Sequence, residues 1–203
     1  MPPAPRHLWL VRHARPLIDA GICYGRHDVP ADADATHACA ARLQPALPGR
    51  LAGAATSPLR RCEQLAQALQ ALRPDLAFET DHGLAELDFG SWENRAWDHI
   101  PRADIDAWTA DFASHRPGGG EALTDMLARV QAALAQATQQ ALEHGGDVLW
   151  ITHAGVARCV QWLQQHGAAA PLSHEWTAPA PGYGEWLRVT LAPAGTGAKH
   201  VTS

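Results

Sequence analysis

The stretch His7-Leu8-Trp9-Leu10-Val11-Arg12-His13-Ala14-Arg15-Pro16 runs from apolar residues straight into a cation, a histidine and a proline. Four consecutive apolar residues without alternation read as a strand buried on both faces, the kind found in parallel sheets covered by helices. Pro16 cannot donate to a central ladder, so the strand ends before it. The carboxyl end of such a strand opens onto a crevice where ligands bind in open α/β sheets. Arg12 and His13 are either ordinary surface residues just past a strand or groups placed there for a ligand, because burying them otherwise costs free energy. The pattern recurs: Asp147-Val148-Leu149-Trp150-Ile151-Thr152 reads as a second such strand and ends in His153-Ala154-Gly155. A helix follows through Val156, Val160 and Leu163.

Between these two strands, helical and extended patterns alternate. Residues 21–30 are rich in turn formers and read as a loop at the mouth of the crevice. A helix is expected over 33–47, closed by Pro48-Gly49. Small residues at 51–56 suit a buried strand, and Ser57-Pro58 supplies an N-cap hydroxyl with proline at the first helical position. Leu59, Cys62, Leu65, Ala66, Leu69 and Leu72 then follow a helical period. Arg60 and Arg61 fall in its first turn, where cations oppose the helix dipole unless an anion lies nearby; two solvated arginines are the plain alternative. A short strand is expected at 76–79 and a helix at 101–115 with Ile105, Trp108 and Phe112 on one face. Pro117-Gly118-Gly119-Gly120-Glu121 breaks the chain. A long amphipathic helix from Leu123 past Leu142 ends at Gly145-Gly146. Residues 185–191 alternate as an edge strand. The expected fold is α/β: a three-layer α/β/α, doubly wound, mostly parallel sheet with an antiparallel edge strand.

The chain has 203 residues, which suits one domain, with a core expected over about 7–192. Met1-Pro2-Pro3-Ala4-Pro5 reads as a disordered lead and Gly195-Thr196-Gly197-Ala198-Lys199-His200 as a frayed tail. A net charge of −5 with scattered basic residues argues against a nucleic-acid partner. No apolar run approaches the ~18 residues of a membrane span and no secretory leader opens the sequence, so a cytoplasmic setting is expected. Cys23, Cys39, Cys62 and Cys159 lie far apart and read as reduced thiols. No histidine pair has the spacing of H-E-x-x-H, so no metal site and no cofactor are expected. Nothing in the sequence speaks to oligomeric state.

In an open sheet, Arg12, His13, Ser57, the Arg60-Arg61 pair and His153 converge beyond the strand ends. Guanidinium forks and histidines at a helix N-terminus make a pocket for a dianion such as phosphate. Leu84-Ala85-Glu86-Leu87-Asp88-Phe89-Gly90-Ser91-Trp92-Glu93 interleaves carboxylates with Leu, Phe and Trp, a setting fit for an acid. A charged loop lying over the core is its other reading. No nucleotide-binding glycine motif is present.

These residues carry a resemblance. Leu10-Val11-Arg12-His13 resembles the opening motif of the histidine phosphatase (phosphoglycerate mutase-like) superfamily, and Ser57-Pro58-Leu59-Arg60-Arg61 its S-P-L-x-R motif. The 84–93 stretch is similar to its L-x-E-x-x-F-G-x-W-E box, and 117–121 and 151–155 to two later ones, all in the family's order. The resemblance implies a two-step phosphoryl transfer. His13 would be the nucleophile, with Arg12, Arg61 and His153 gripping the phosphoryl oxygens. Glu86 would be the acid and then the base. The boxes and Tyr183-Gly184 look most like the α-ribazole phosphatase group of cobalamin synthesis.

The expected function is therefore metal-independent phosphomonoester hydrolysis of a small phosphorylated metabolite, α-ribazole 5′-phosphate being one candidate. Tyr24, Arg26 and Trp92 are the candidates for holding the rest of the substrate; packing alone would also account for Trp92 and Tyr24. A phosphoglycerate mutase-type transferase and a catalytically silent phosphate-binding module are the rival readings. The chain departs from the family pattern at Ala14, where the family has glycine. A left-handed backbone there would cost roughly 1–2 kcal/mol. Asp19 and Pro16 stand where Asn or Thr support phosphate, and Pro30-Ala31-Asp32-Ala33 shortens a substrate-side motif.

Overall fold

The computed structural model describes residues 5–191. The expected tail at 195–200, most of the expected lead (1–4) and the last residue of the expected core lie outside the described residues. Five strands form one sheet in the order β3-β2-β4-β1-β5. They are β1 (Arg6–Arg12), β2 (Leu51–Thr56), β3 (Glu79–Thr80), β4 (Asp147–Thr152) and β5 (Trp186–Leu191). The first four run parallel, and β5 pairs antiparallel with β1 at the edge. The α/β fold and its antiparallel edge strand are those expected.

The alternation of side chains along a strand sends alternate residues of the two central strands to opposite faces. Leu8, Leu10, Val148 and Trp150 pack against α4 (Leu123–His144) and α5 (Ala154–His166). Trp9, Val11, Leu149 and Ile151 pack against α1 (Ala33–Ala46) and α2 (Arg60–Leu72). Both faces of β1 and β4 are thus buried, which is why neither shows polar alternation. Asp147 sets their register, accepting from His7 N at 2.8 Å and from Trp9 Nε1 at 2.9 Å.

Three local expectations are corrected. The helix after Ser57-Pro58 begins at Arg60, with Leu59 extended as its cap. Ser57 N donates to Ile151 O at 2.9 Å, and its hydroxyl bonds His153 at 2.7 Å while accepting from Leu59 N at 3.3 Å, so the segment stays extended before turning. The strand expected at 76–79 is a pair at 79–80. Leu76 N donates to Arg73 O in a turn and Leu76 is buried under the sheet, so only Glu79 and Thr80 reach β2. The helix expected at 101–115 is α3 (Arg102–Ala110), capped by Asp111, which leaves Phe112 in the following loop. α4 ends as expected, with Gly145 left-handed at φ 69°. Among the described residues no helix is long and apolar enough to cross a membrane.

Candidate active site

The parallel register pairs Arg12 with Thr152, so His13 and His153 leave adjacent strands side by side. His13 N donates to Thr152 O at 3.1 Å, and the two imidazole centroids lie 5.1 Å apart. Both side chains are buried. His13 Nδ1 is 2.7 Å from Ala14 O, which can only accept; Nδ1 therefore carries the proton and Nε2 the lone pair. Burial, then the Arg61 guanidinium and more weakly Arg12, holds His13 well below the usual histidine range, against the opposing Ala14 bond. His153 is lowered in the same direction, first by burial and then by Arg61 and His13. His153 Nε2 shares a 2.7 Å hydrogen bond with Ser57 Oγ and lies 3.5 Å from Cys62 Sγ. Burial pushes the Cys62 thiol up to about 12, so it stays protonated.

Arg61, the second residue of α2, has no exposed surface. Its Nε donates to His13 Nε2 at 3.3 Å, and its Nη atoms donate to His27 O and Gly25 O at 2.9 and 2.7 Å. Arg12 donates through Nη1 to Pro181 O at 3.1 Å, and its buried Nε has no partner. Among the described residues neither guanidinium is ion-paired with a carboxylate. The buried Arg61 and the half-buried Arg12, beside two histidines disfavoured as cations, leave positive charge with no carboxylate against it, a setting that suits an anion. Arg60, by contrast, is exposed, with its N–H held by Asp28.

Glu86 faces the same cavity from the loop before α3. Its Oε2 accepts from Gly155 N at the start of α5, and its Oε1 from Leu87 N, each at 3.0 Å. A Cβ at Gly155 would collide with Glu86 Oε1, so this approach requires glycine. Arg129 of α4 holds the loop by donating to the carbonyls of Gly83, Ala85 and Glu86 and pairing with Glu121. Gly120 and Gly118 abut the backbone of Asp88 and Phe89 so closely that no Cβ would fit at either. The Pro117–Glu121 motif is thus the brace of the Glu86 loop, a role invisible in the sequence. Asp88 and Glu93 are held by backbone N–H groups of Gly90, Phe89 and Arg26 and do not line the cavity.

Tyr24 lines the cavity, and its hydroxyl meets that of Tyr183 at 2.6 Å. Burial pushes the Tyr24 phenol up, so it stays protonated. Tyr183 was not among the expected substrate-holding residues. It is brought in by Gly184, whose N–H donates to His13 O at 3.0 Å. Its ring lies 3.9 Å from the Arg12 guanidinium and 5.6 Å from the His13 ring. The other two candidates lie off the cavity lining. Arg26 is exposed and outside the cavity lining, and Trp92 is buried against Cys23 and Ile100 behind the cavity wall. Asp19 is exposed, and Ala14 has no positive φ, so its methyl carries no backbone penalty.

The cavity has a volume of about 440 Å³. Its lining includes Arg12, His13, Arg61 and Glu86 together with the rings of Phe89, Trp97, Trp108, Phe112 and Trp176.

The family model of the histidine phosphatase superfamily (branch 1) matches residues 8–197. No curated protein sequence matches the chain. Solved structures share the fold. The mycobacterial glucosyl-3-phosphoglycerate phosphatase is 23% identical with a TM-score of 0.75, over 91% of this chain and 90% of that one. The α-ribazole phosphatase of Shigella flexneri is 24% identical with a TM-score of 0.73, over 90% and 89%. A protein of Thermus thermophilus is 27% identical with a TM-score of 0.63, over 92% and 99%.

Proposed function

Because the chain belongs to the histidine phosphatase superfamily, branch 1, we propose that it hydrolyses the phosphomonoester of a small metabolite through a phosphohistidine. The observation that carries this reading is a pair of guanidinium groups, Arg61 buried and Arg12 half-buried, without carboxylate partners, flanking a neutral histidine whose Nε2 holds a lone pair.

In the first step the ester phosphate takes the place against Arg12 and Arg61, and His13 Nε2 attacks phosphorus in line. The N–P bond forms as the ester P–O bond breaks, and Glu86, protonated, gives its proton to the leaving oxygen. Arg12, Arg61 and the His153 imidazole hold the equatorial oxygens as their charge redistributes. In the second step water attacks the phosphohistidine, Glu86 takes its proton, and the N–P bond breaks to release inorganic phosphate. Burial serves the chemistry twice: it keeps His13 uncharged and it strengthens the guanidinium–phosphate attraction. Ser57 orients His153, and Arg129 with Gly155 positions Glu86. No step requires a metal ion. The substrate proposed from the sequence is α-ribazole 5′-phosphate.

The test is hydrolysis of p-nitrophenyl phosphate with and without EDTA, in the wild type and in His13→Ala. Activity persists in EDTA and falls by about 10³-fold or more in the variant, and a brief quench leaves an acid-labile phosphoenzyme. Loss of activity in EDTA, or an acid-stable label, overturns the mechanism. Isomerisation of phosphoglycerate without phosphate release would instead mark a mutase, and a folded wild type with no turnover a silent binding module.

A further inference from the structure

The in-line geometry of the proposed reaction determines where the rest of the substrate must lie. If His13 attacks from one side of phosphorus, the leaving oxygen emerges on the other, within reach of Glu86. The cavity lining next to Glu86 is apolar: Leu87, Phe89, Leu123 and Met126, with Ala154 and Gly155 at the start of α5. Farther along are four more aromatic rings, those of Trp97, Trp108, Phe112 and Trp176.

These rings differ from core aromatics in being only partly covered. α3, which carries Trp108, has no fully buried residue, and Trp97 is 37% exposed. They also form a continuous series. Phe89 meets Trp97 and Trp108 edge-on at 5.4 and 5.9 Å, Trp108 lies 5.6 Å from Phe112, and Phe112 lies 6.2 Å from Trp176. Trp97 and Trp108 lie within 14° of parallel. Two buried tryptophans support the series from outside the cavity: Trp92 lies 5.7 Å from Trp108, and Trp162 lies 5.8 Å from Trp176. A wall held in this way is preformed, so a ligand pays little to order it.

The geometry points to a subsite of Phe89, Trp97, Trp108, Phe112 and Trp176 for a flat aryl or heteroaryl group carried on the leaving alcohol. This rests on the phosphatase reading above and narrows it. Aromatic faces suit a planar π-system, whereas the hydroxyls of a sugar or triose would be stripped of water against a wall with few polar partners. The polar side chains along this part are Thr109, Ser173 and Arg158, which suit one or two acceptor atoms at the rim of a ring. Thr109 Oγ1 already donates within its own helix and Arg158 Nε donates to Ala178 O.

The experiment compares two alkyl esters of similar leaving-group basicity, 2-naphthylmethyl phosphate and glycerol 1-phosphate. The wild type turns over the naphthylmethyl ester with a kcat/KM higher by about 30-fold or more. In Trp108→Ala and Trp176→Ala that preference falls by about tenfold, mainly through KM, and Trp108→Phe restores most of it. Far-UV circular dichroism and thermal midpoints establish that each variant is folded, and Trp108→Leu serves if Trp108→Ala is not. Comparable kcat/KM for the two esters in the wild type overturns the subsite and leaves the phosphatase reading standing. Equal loss on both esters in folded variants does the same. No hydrolysis of either ester, with no phosphohistidine formed, overturns the phosphatase reading and the subsite with it.

Discussion

At the residue scale, His13 and His153 couple protonation to stability. Each is buried and neutral, and each has its proton affinity lowered by burial and by neighbouring cations. The unfolded chain takes up protons near the ordinary histidine value of about 6.5, while the folded chain resists them until a lower pH. Their contribution to stability is therefore full above about pH 6.5. It falls progressively as the pH drops through that value towards the lowered folded values. Urea midpoints measured from pH 7.5 to 5 should decline, and His153→Asn should flatten the decline over that window. An unchanged slope would mean that His153 protonates as readily in the fold as in the unfolded chain. Ala14 shows why a departure from a pattern must be judged by its backbone: with no positive φ, alanine there is as acceptable as glycine.

At the element scale, the active site depends on close backbone approaches that only glycine permits. Gly155 opens α5 and lets its N–H reach the Glu86 carboxylate, while Gly118 and Gly120 let the motif before α4 lie against the Glu86 loop. Gly155→Ala places a methyl where the carboxylate sits and must displace it. The expected result is a loss of kcat of about 10²-fold on an alkyl phosphate, since misplacing a catalytic group by about 1 Å costs that much. The loss should be far smaller on p-nitrophenyl phosphate, whose leaving group needs no proton. Glu86→Gln should show the same asymmetry. Equal losses on both substrates, in a variant with an unchanged thermal midpoint, would show that Glu86 is not the proton donor.

At the scale of the whole molecule, the proposed phosphate pocket joins segments remote in sequence. Arg12 and His13 leave β1, Arg61 opens α2, His153 leaves β4 and Tyr183 precedes β5. An anion bound among them would tie the sheet ends together and relieve the repulsion between Arg12 and the buried Arg61. Inorganic phosphate should therefore raise the thermal midpoint beyond a sodium chloride control of equal ionic strength. At about 100 times its Kd the gain is about 2.7 kcal/mol, or several degrees. Arg12→Ala should remove most of that gain. A midpoint that moves no more than the chloride control would show that the pocket does not bind phosphate in the ground state.

The α/β architecture was legible in the sequence alone, because burial on both faces leaves an unmistakable apolar run in 8–11 and 148–151, and α2 and α4 declare themselves by period. The placement of His13 and His153 at the ends of those runs, and of Arg61 in the first turn of α2, was legible too, whereas their meeting depends on the pairing of β1 with β4. The short elements whose ends are set by contact were less so. β3 shrank to two residues because Leu76 turns into the core, and α2 began late because Ser57 is engaged by β4 and His153. The division of the aromatic and charged residues around the cavity was decided only in three dimensions. Trp92 and Trp108 look alike in sequence, yet one packs behind the wall and the other lines the cavity, and Arg26 turns to solvent while Tyr183 covers Arg12. The physical reason is that local periodicity reports which face of an element is buried. The meeting of loops depends on strand register and on glycine-permitted crossings between segments far apart in the chain, and neither leaves a repeating signal.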